Sequence, residues 1–238
     1  MVQPDRIDMD FEDASALVSQ VKHWHHRIEL LPGLVTPGSY DPAFLLEKLR
    51  LPARLDDSRV LDVGTSDGYF ARELWRRGAA VSAVDYRGKT DHGYWVTEAV
   101  SGMEVAYHKQ NLYDLSPAAL GTFDTVLLLG VLYHLPDMLR AIHLMHSLTA
   151  KHLFIETHCD NTAAPDTAYA RYYKGSSLGG DPTNFWSPNR RCMLDMLEDA
   201  GFDIDRDEAW GDRLFVACTK AERRPGVFPK FSVAYGTT

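Results

Sequence analysis

Apolar positions along this chain recur first at helical and then at strand spacing, and the change of period marks out most of its elements. Between Asp10 and about Arg27, the residues Phe11, Ala14, Leu17, Val18, Val21 and Trp24 follow helical spacing, with Asp10 placed as the N-cap. That helix would carry His23, His25 and His26, of which His23 and His26 share a face. The stretch IELLPGLVTPGSYDP after it is rich in proline and glycine and predicts an extended loop or short hairpin. Pro42 then opens a second helix to roughly Arg50, carrying Phe44, Leu45, Leu46 and Leu49. Short apolar runs take over from there. They predict strands near Val60–Val63, Ala80–Val84, Glu104–Lys109, Asp124–Leu129, Leu153–Thr157 and Leu214–Thr219. Helices are predicted near Tyr69–Arg77, Tyr94–Val100, Pro136–Leu148 and Asn189–Ala200, the last stopped by Gly201 and followed by two strands that can pair as a hairpin.

Strand–helix alternation of this kind predicts an α/β fold, a doubly wound and mostly parallel sheet covered on both faces. Right-handed crossovers would bring the strand ends, and any ligand, to one edge. Residues 1–52 read as an N-terminal helical lid or substrate segment, 53–220 as the sheet domain and 221–238 as an extended tail. Within the sheet domain, residues 158–188 are long for a connector and dense in aromatics, which predicts a functional insertion beside a substrate pocket.

The most specific local signal is the run VLDVGTSDGYF, Val60 to Phe70, followed by VSAVDY ending at Tyr86. It reads as a buried strand, a tight glycine turn, a helix start and then a second strand that ends on Asp85. Gly64 and Asp85 lie 85 − 64 = 21 residues apart, close to the roughly 20 expected when a carboxylate at the next strand's tip grips a ribose. A glycine has no Cβ, so a ligand can lie against the backbone, and the helix that follows points N–H groups at it. These features predict a nucleoside-cofactor site. The dinucleotide pattern G-x-G-x-x-G is not met, because Gly64-Thr65-Ser66-Asp67-Gly68 spaces its glycines four apart. Asp67 at the helix entrance would also repel a pyrophosphate.

The turn resembles the D-x-G-x-G-x-G turn of the class I S-adenosylmethionine-dependent methyltransferases. Asp62, Gly64 and Gly68 match it, and Ser66 stands where that family has its middle glycine. The resemblance implies a Rossmann-like sheet with an antiparallel last strand, S-adenosyl-L-methionine as cofactor, and a methyltransferase. Cofactor contacts are expected from Asp62, Gly64, Thr65, Ser66, Gly68, Tyr69, Asp85 and Tyr86. After the third strand, Asn111 or Asp114 could bond the adenine amino group while Leu112 packs on the ring; a simple Asx turn is the other reading. After the fourth strand, FDTVLLLGVLYHLPDML places Leu129, Gly130 and Tyr133 where the family's methyl group lies. Tyr133 and His134 could stack on the cofactor or bond the substrate, or could pack as a lead-in to the helix that Pro136 starts.

GVLYH, the loop Tyr169-Ala170-Arg171-Tyr172-Tyr173 and Asn184-Phe185-Trp186-Ser187-Pro188, before a helix ending DAGF, are similar to one branch of that family. It is the branch of the bacterial tRNA wobble-uridine carboxymethyltransferase, and the likeness runs from about Val60 to Lys220. By that resemblance Gly64, Asp85, Leu129 and Tyr133 contact the cofactor. That enzyme holds a carboxylated cofactor with basic residues and has a tryptophan–lysine segment before its first strand. The matching stretch here, Tyr40-Asp41-Pro42-Ala43-Phe44, has no lysine. Ordinary S-adenosylmethionine is therefore the expected cofactor.

Among the histidines, His134 and His158 are the candidates for a general base, with Tyr133 beside them. His143 and His146 read as surface or packing residues of a crossover helix. His23, His25 and His26 lack a neighbouring Cys or Asp to complete a ligand set, so no metal is expected. Trp24, His25, Tyr169, Arg171, Tyr172, Tyr173, Phe185 and Trp186 are the expected substrate residues, with Arg171 available to an anionic group.

Composition narrows the partners. A net charge of −8 argues against a large nucleic-acid footprint, which needs a basic face. Three widely spaced cysteines suit reduced thiols, no apolar run reaches membrane-span length, and Met1 to Asp10 does not read as a signal peptide, so a cytoplasmic protein is expected. The expected activity is O- or N-methylation of a small molecule, in natural-product biosynthesis by the reading of the flanking segments, and a homodimer is compatible with it. The alternatives are a tRNA wobble-uridine-modifying transferase and a repurposed, non-methylating fold that acts as a cyclase or binds a partner.

Overall fold

Asp10 caps the first helix as expected, its carboxylate accepting from the Asp13 N–H at 2.8 Å. The helix, α1 (Phe11–Gln20), nevertheless ends at Gln20 rather than near Arg27. Val21 turns to extended backbone, and the Trp24 indole N–H folds back to donate to the Val18 carbonyl at 3.2 Å, beside the Val21 N–H that the same carbonyl accepts at 3.3 Å. His23, His25 and His26 are therefore not on a helix. The His25 carbonyl accepts from Tyr40 N–H at 3.1 Å, and Arg27 N–H donates to the Tyr40 carbonyl at 2.7 Å, a strand-like pairing. The structure is a computed structural model and describes residues 9–162 and 166–223. The part of the expected tail from residue 224 onward lies outside the described residues.

Contacts cluster in two units, Met1–Leu112 and Tyr113–Thr238. In the first, β1 (Glu29–Leu31) and β2 (Leu34–Val35) form a small antiparallel hairpin, one of the two forms expected of that stretch, and α2 (Ala43–Leu49) starts after Pro42 as its N-cap. Then follow β3 (Arg59–Val63), α3 (Tyr69–Arg76), β4 (Ala80–Asp85), α4 (Tyr94–Ser101) and β5 (Ala106–Lys109). Strands β3, β4 and β5 are parallel and adjacent in that order, with Val63 opposite Val84 and Asp85 opposite Lys109. Their ends therefore stop level, so the turn after β3 lies beside the tip of β4. The interior face of α3 is built on Phe70, Ala71 and Leu74, all buried. Arg72, 6% exposed, reaches out of α3 to the Leu30 carbonyl and the Ser101 hydroxyl, tying the hairpin and α4 to it.

In the second unit, α5 (Pro117–Leu120) precedes β6 (Phe123–Leu129), α6 (Met138–Leu148) and β7 (Thr149–His158). Helix α6 starts two residues later than Pro136, because the Asp137 carboxylate caps it by accepting from Arg140 N–H at 3.0 Å. The short strands β8 (Ala170–Tyr172) and β9 (Trp186–Pro188) pair antiparallel inside the aromatic insertion. Helix α7 (Arg190–Ala200) leads to the hairpin β10 (Phe202–Trp210) and β11 (Arg213–Lys220). Strand β7 is parallel to β6 and antiparallel to β11. His143 and His146 are packing residues, 4% and 7% exposed, and neither lies on the surface. Among the described residues no helix is long and apolar enough to cross a membrane.

Burial of neutral histidines makes stability fall in acid. Burial pushes the pKa of His26 down to about 3 and those of His143 and His146 down to about 4. The unfolded chain takes up these protons near the ordinary value of 6.5 while the folded chain does not, so stability is lost as pH falls through that value. Asp62 acts in the opposite sense, since burial pushes it up to about 6 and the folded state then binds a proton that the unfolded carboxylate lacks. Three groups outweigh one. Thermal melts are expected to give a lower Tm at about pH 5 than at about pH 7.5.

Candidate active site

The turn joining β3 to α3 is built from three residues in left-handed backbone: Gly64 at φ 78°, Ser66 at φ 49° and Gly68 at φ 84°. A Cβ on Gly68 would come within 2.9 Å of the Tyr94 ring, so this position requires glycine for space as well as conformation. Gly64 and Thr65 both donate backbone N–H groups to the Val84 carbonyl, at 2.8 and 3.1 Å, which fixes the turn against the end of β4. Asp62 lies 2% exposed in β3. Its raised pKa comes from burial, with the Thr65 hydroxyl and the Ala71 N–H pulling the other way.

Asp85 ends β4 and is 4% exposed. A carboxylate offers about four acceptor positions, and here all four are met. The backbone N–H groups of Ser66 and Arg87 donate to Oδ2 and Oδ1 at 3.1 and 3.0 Å. The Arg87 guanidinium supplies the other two contacts, at 3.2 and 3.4 Å. Arg87 also lies 5.4 Å from the Tyr86 ring, and Tyr86 itself is 73% exposed. Gln110 donates to the Asp85 carbonyl at 2.9 Å, which brings exposed Asn111 and buried Leu112 after the end of β5.

Asp67 stands at the helix entrance as expected, just before the Gly68 cap of α3, but its carboxylate turns into the protein. It is fully buried, and its carboxylate accepts three backbone N–H groups: His25 and His26 at 2.8 Å each and Gly93 at 2.9 Å. It anchors the segment after α1 and the start of α4 to the glycine turn. Trp24, expected at a substrate pocket, is 5% exposed and packs against Gly93, where a Cβ would come within 2.2 Å of the indole. His25 is exposed and stacks on Tyr40 at 5.4 Å.

In the second unit, Gly130 at φ 70° turns the chain out of β6 into a short helical turn, Leu132–His134. Tyr133 stands between two partners: the Arg213 guanidinium lies 4.7 Å from its ring centroid and the His158 ring meets its edge at 4.6 Å. Arg213 in turn binds Glu156, 2% exposed, through both oxygens, with Nη2 2.6 Å from Oε2. Burial raises the Tyr133 pKa. It lowers that of His158, an effect increased by the Arg213 charge and opposed by Asp212, whose carboxylate is 3.3 Å from His158 Nδ1.

The aromatic insertion is tied to this turn by one main-chain and one side-chain hydrogen bond. Phe185 N–H donates to the Tyr133 carbonyl at 2.9 Å, and the Trp186 indole donates to the Pro136 carbonyl at 3.1 Å. Tyr172 meets Trp186 at 5.1 Å, Tyr173 N–H donates to the Phe185 carbonyl at 2.8 Å, and the Tyr169 hydroxyl donates to the Asp160 carbonyl at 3.2 Å. Arg171 is not standing by for an anion: its Nε is 2.8 Å from the carboxylate of Asp160, a residue only 5% exposed.

A family model described as a methyltransferase domain matches residues 24–206. The chain belongs to the methyltransferase-domain family. The ubiquinone biosynthesis O-methyltransferase of Azotobacter vinelandii is 36% identical over 95 residues, 40% of this chain and 41% of that protein. Its counterpart from Xanthomonas euvesicatoria pv. vesicatoria is 34% identical over 116 residues, 47% and 48% of the two chains. The chain thus spans less than half the length of these curated relatives. Among solved structures, the N-terminal domain of EvdMO1 with S-adenosylhomocysteine bound aligns with a TM-score of 0.67 at 17% identity, over 90% of this chain and 98% of that one. The 1,6-didemethyltoxoflavin-N1-methyltransferase of Burkholderia thailandensis aligns at 0.55 and 18% identity, over 76% of each chain. These likenesses show the fold, the Rossmann-like methyltransferase sheet, mostly parallel with an antiparallel end.

Within this methyltransferase domain the sequence signals for the glycine turn and Asp85 lead to residues that the structure brings together, and Tyr133 and His158 are in contact. Reasoning from sequence missed Arg87, Glu156 and Arg213. Glu156 carried a readable signal, a charge inside the apolar run LFIETH that burial alone would not tolerate without a partner. Its partner is 57 residues further on, beyond the reach of any local pattern.

Proposed function

We propose that this methyltransferase domain transfers the methyl group of S-adenosylmethionine to a hydroxyl of a small molecule. The left-handed turn Gly64–Gly68 with Asp85 beside it is the observation that supports this most. The residues present fit the cofactor. The turn brings bare backbone to the end of β3, and two acceptor positions of Asp85 are held only by a side chain that can move away. When bound, S-adenosylmethionine supplies an electrophilic methyl group on a sulfonium.

The chain's own residues then have to hold, orient and exclude water. Asp85 would take the ribose hydroxyls, Leu112 would pack on the adenine, and Asn111 would meet its polar edge. Tyr169, Tyr172, Tyr173, Phe185 and Trp186 of the aromatic insertion are proposed for the acceptor. Oxygen is the favoured acceptor atom because the curated relatives are named for O-methylation; neither the tRNA reading nor the non-methylating one draws such support.

Incubation with methyl-labelled S-adenosylmethionine and a panel of phenolic and quinol acceptors is expected to move label into an acceptor, one for each S-adenosylhomocysteine formed. Label that never leaves the cofactor would overturn the reading. Arg87 gives a separate prediction. Ribose hydroxyls must replace its guanidinium on Asp85, so Arg87→Ala is expected to tighten S-adenosylhomocysteine binding about three- to tenfold in calorimetry, the scale of a partly exposed ion pair.

A further inference from the structure

We infer, on the methyltransferase reading above, that Tyr107 and His92 are positioning residues for the ribose carboxylate. They clamp the main chain of Arg87, so that its N–H keeps orienting Asp85 after its guanidinium has swung away. Arg87 thereby acts on Asp85 in two opposed ways. Its side chain competes with a ribose, and its main chain supports the carboxylate that receives one.

The clamp closes on both ends of one residue. Arg87 N–H donates to Asp85 Oδ1 at 3.0 Å, and the Arg87 carbonyl accepts the Tyr107 hydroxyl at 2.9 Å. A carbonyl only accepts, so the single phenolic proton is committed to Arg87. The Tyr107 oxygen is left as an acceptor toward His92 Nε2, 3.4 Å away. The other ring nitrogen points to the same tautomer, since Tyr94 N–H donates to His92 Nδ1 at 3.4 Å. Asp67 Oδ1 is 3.8 Å from Nδ1, outside hydrogen-bond reach, and does not draw a proton there. Burial and the Arg87 charge lower the His92 pKa, so the imidazole is neutral at neutral pH and its one proton sits on Nε2.

Both partners are fixed independently of Arg87. Tyr107 in β5 stands opposite Ala83 in β4, two residues back from Asp85. Its ring meets the Tyr94 ring at 4.5 Å, and the Lys89 ammonium lies 5.6 Å from each, held by Glu98 Oε1 at 2.6 Å. Between Arg87 and His92, Gly88 N–H donates to Asp91 Oδ2 at 2.6 Å across a short helical turn, Lys89–Asp91. The guanidinium is held less firmly. It reaches Asp85 at 3.2 and 3.4 Å from a side chain about a third exposed. Rotation about the side-chain bonds of Arg87 releases it, while Arg87 N–H stays on Oδ1 and Ser66 N–H on Oδ2.

The clamp is read first on the chain alone. Long-range ¹H–¹⁵N spectra of the full chain at neutral pH are expected to show His92 with a protonated Nε2 and an unprotonated Nδ1, the resonances assigned by their loss in His92→Gln. A proton on Nδ1, alone or with one on Nε2, would overturn the clamp. Calorimetry with S-adenosylhomocysteine then reads its effect. Tyr107→Phe, which removes only the hydroxyl, is expected to weaken binding about three- to tenfold, the scale of one hydrogen bond. The same factor is expected when Tyr107→Phe is added to Arg87→Ala, because the clamp acts through the main chain. His92→Leu is expected to weaken binding similarly, and His92→Gln, whose amide can still donate to Tyr107, to recover most of the loss. Unchanged or tighter binding in Tyr107→Phe would overturn the inference, as would an effect that vanishes beside Arg87→Ala. No binding by the unaltered chain would instead overturn the methyltransferase reading, and with it the ribose role, while the His92 proton still decides the clamp.

Discussion

Replacing Asp85 by alanine is expected to weaken S-adenosylhomocysteine binding by roughly 30- to 5,000-fold, about 2–5 kcal/mol. Hydrogen bonds to a charged acceptor contribute about 1.5–3 kcal/mol each, and a ribose would make two, less about 1 kcal/mol for displacing Arg87. The carboxylate also organises the turn itself, since Ser66 in left-handed backbone donates to it at 3.1 Å. Asp85→Asn keeps one acceptor oxygen and should fall between the two. Calorimetry on the three proteins checks the order, and an alanine variant within threefold of the unaltered chain would remove Asp85 from the cofactor site.

Asp67→Ala should cost stability rather than affinity alone, about 3–5 kcal/mol, because three backbone N–H groups lose their buried acceptor at once. For a chain of this size that lowers Tm by roughly 6–20 °C. Asparagine is expected to be intermediate. Its oxygen can serve His25 and His26, but its NH₂ then faces the Gly93 N–H, donor against donor. Denaturant and thermal melts of both variants measure the loss. A shift of under about 2 °C for Asp67→Ala would mean that the segment after α1 is held by its apolar contacts instead.

The parts of this molecule that sequence pattern reached are those whose physics is local. The strand before Gly64, the left-handed turn and the helix after it follow from residues next to one another, and so does the Asp85 spacing. The end of α1 did not follow. Val21 and Trp24 continue the helical apolar period, yet Trp24 satisfies that pattern by folding back and bonding Val18 from outside the helix. Periodicity cannot separate these two cases. Asp67 looked like a ligand-facing charge because its three donors come from positions 25, 26 and 93. Arg171 and Asp160, like Thr183 and His134, meet only after the insertion folds back on itself. Charged and polar residues were legible as types in the sequence; their partners were set by the fold.

Titration of the full chain with S-adenosylmethionine in a calorimeter, beside an identical titration with NAD, tests the nucleoside-cofactor site most directly. One S-adenosylmethionine per chain, with no heat from NAD, is the result expected from a four-residue glycine spacing and a ribose carboxylate at Asp85. Binding of NAD with none of S-adenosylmethionine would contradict it.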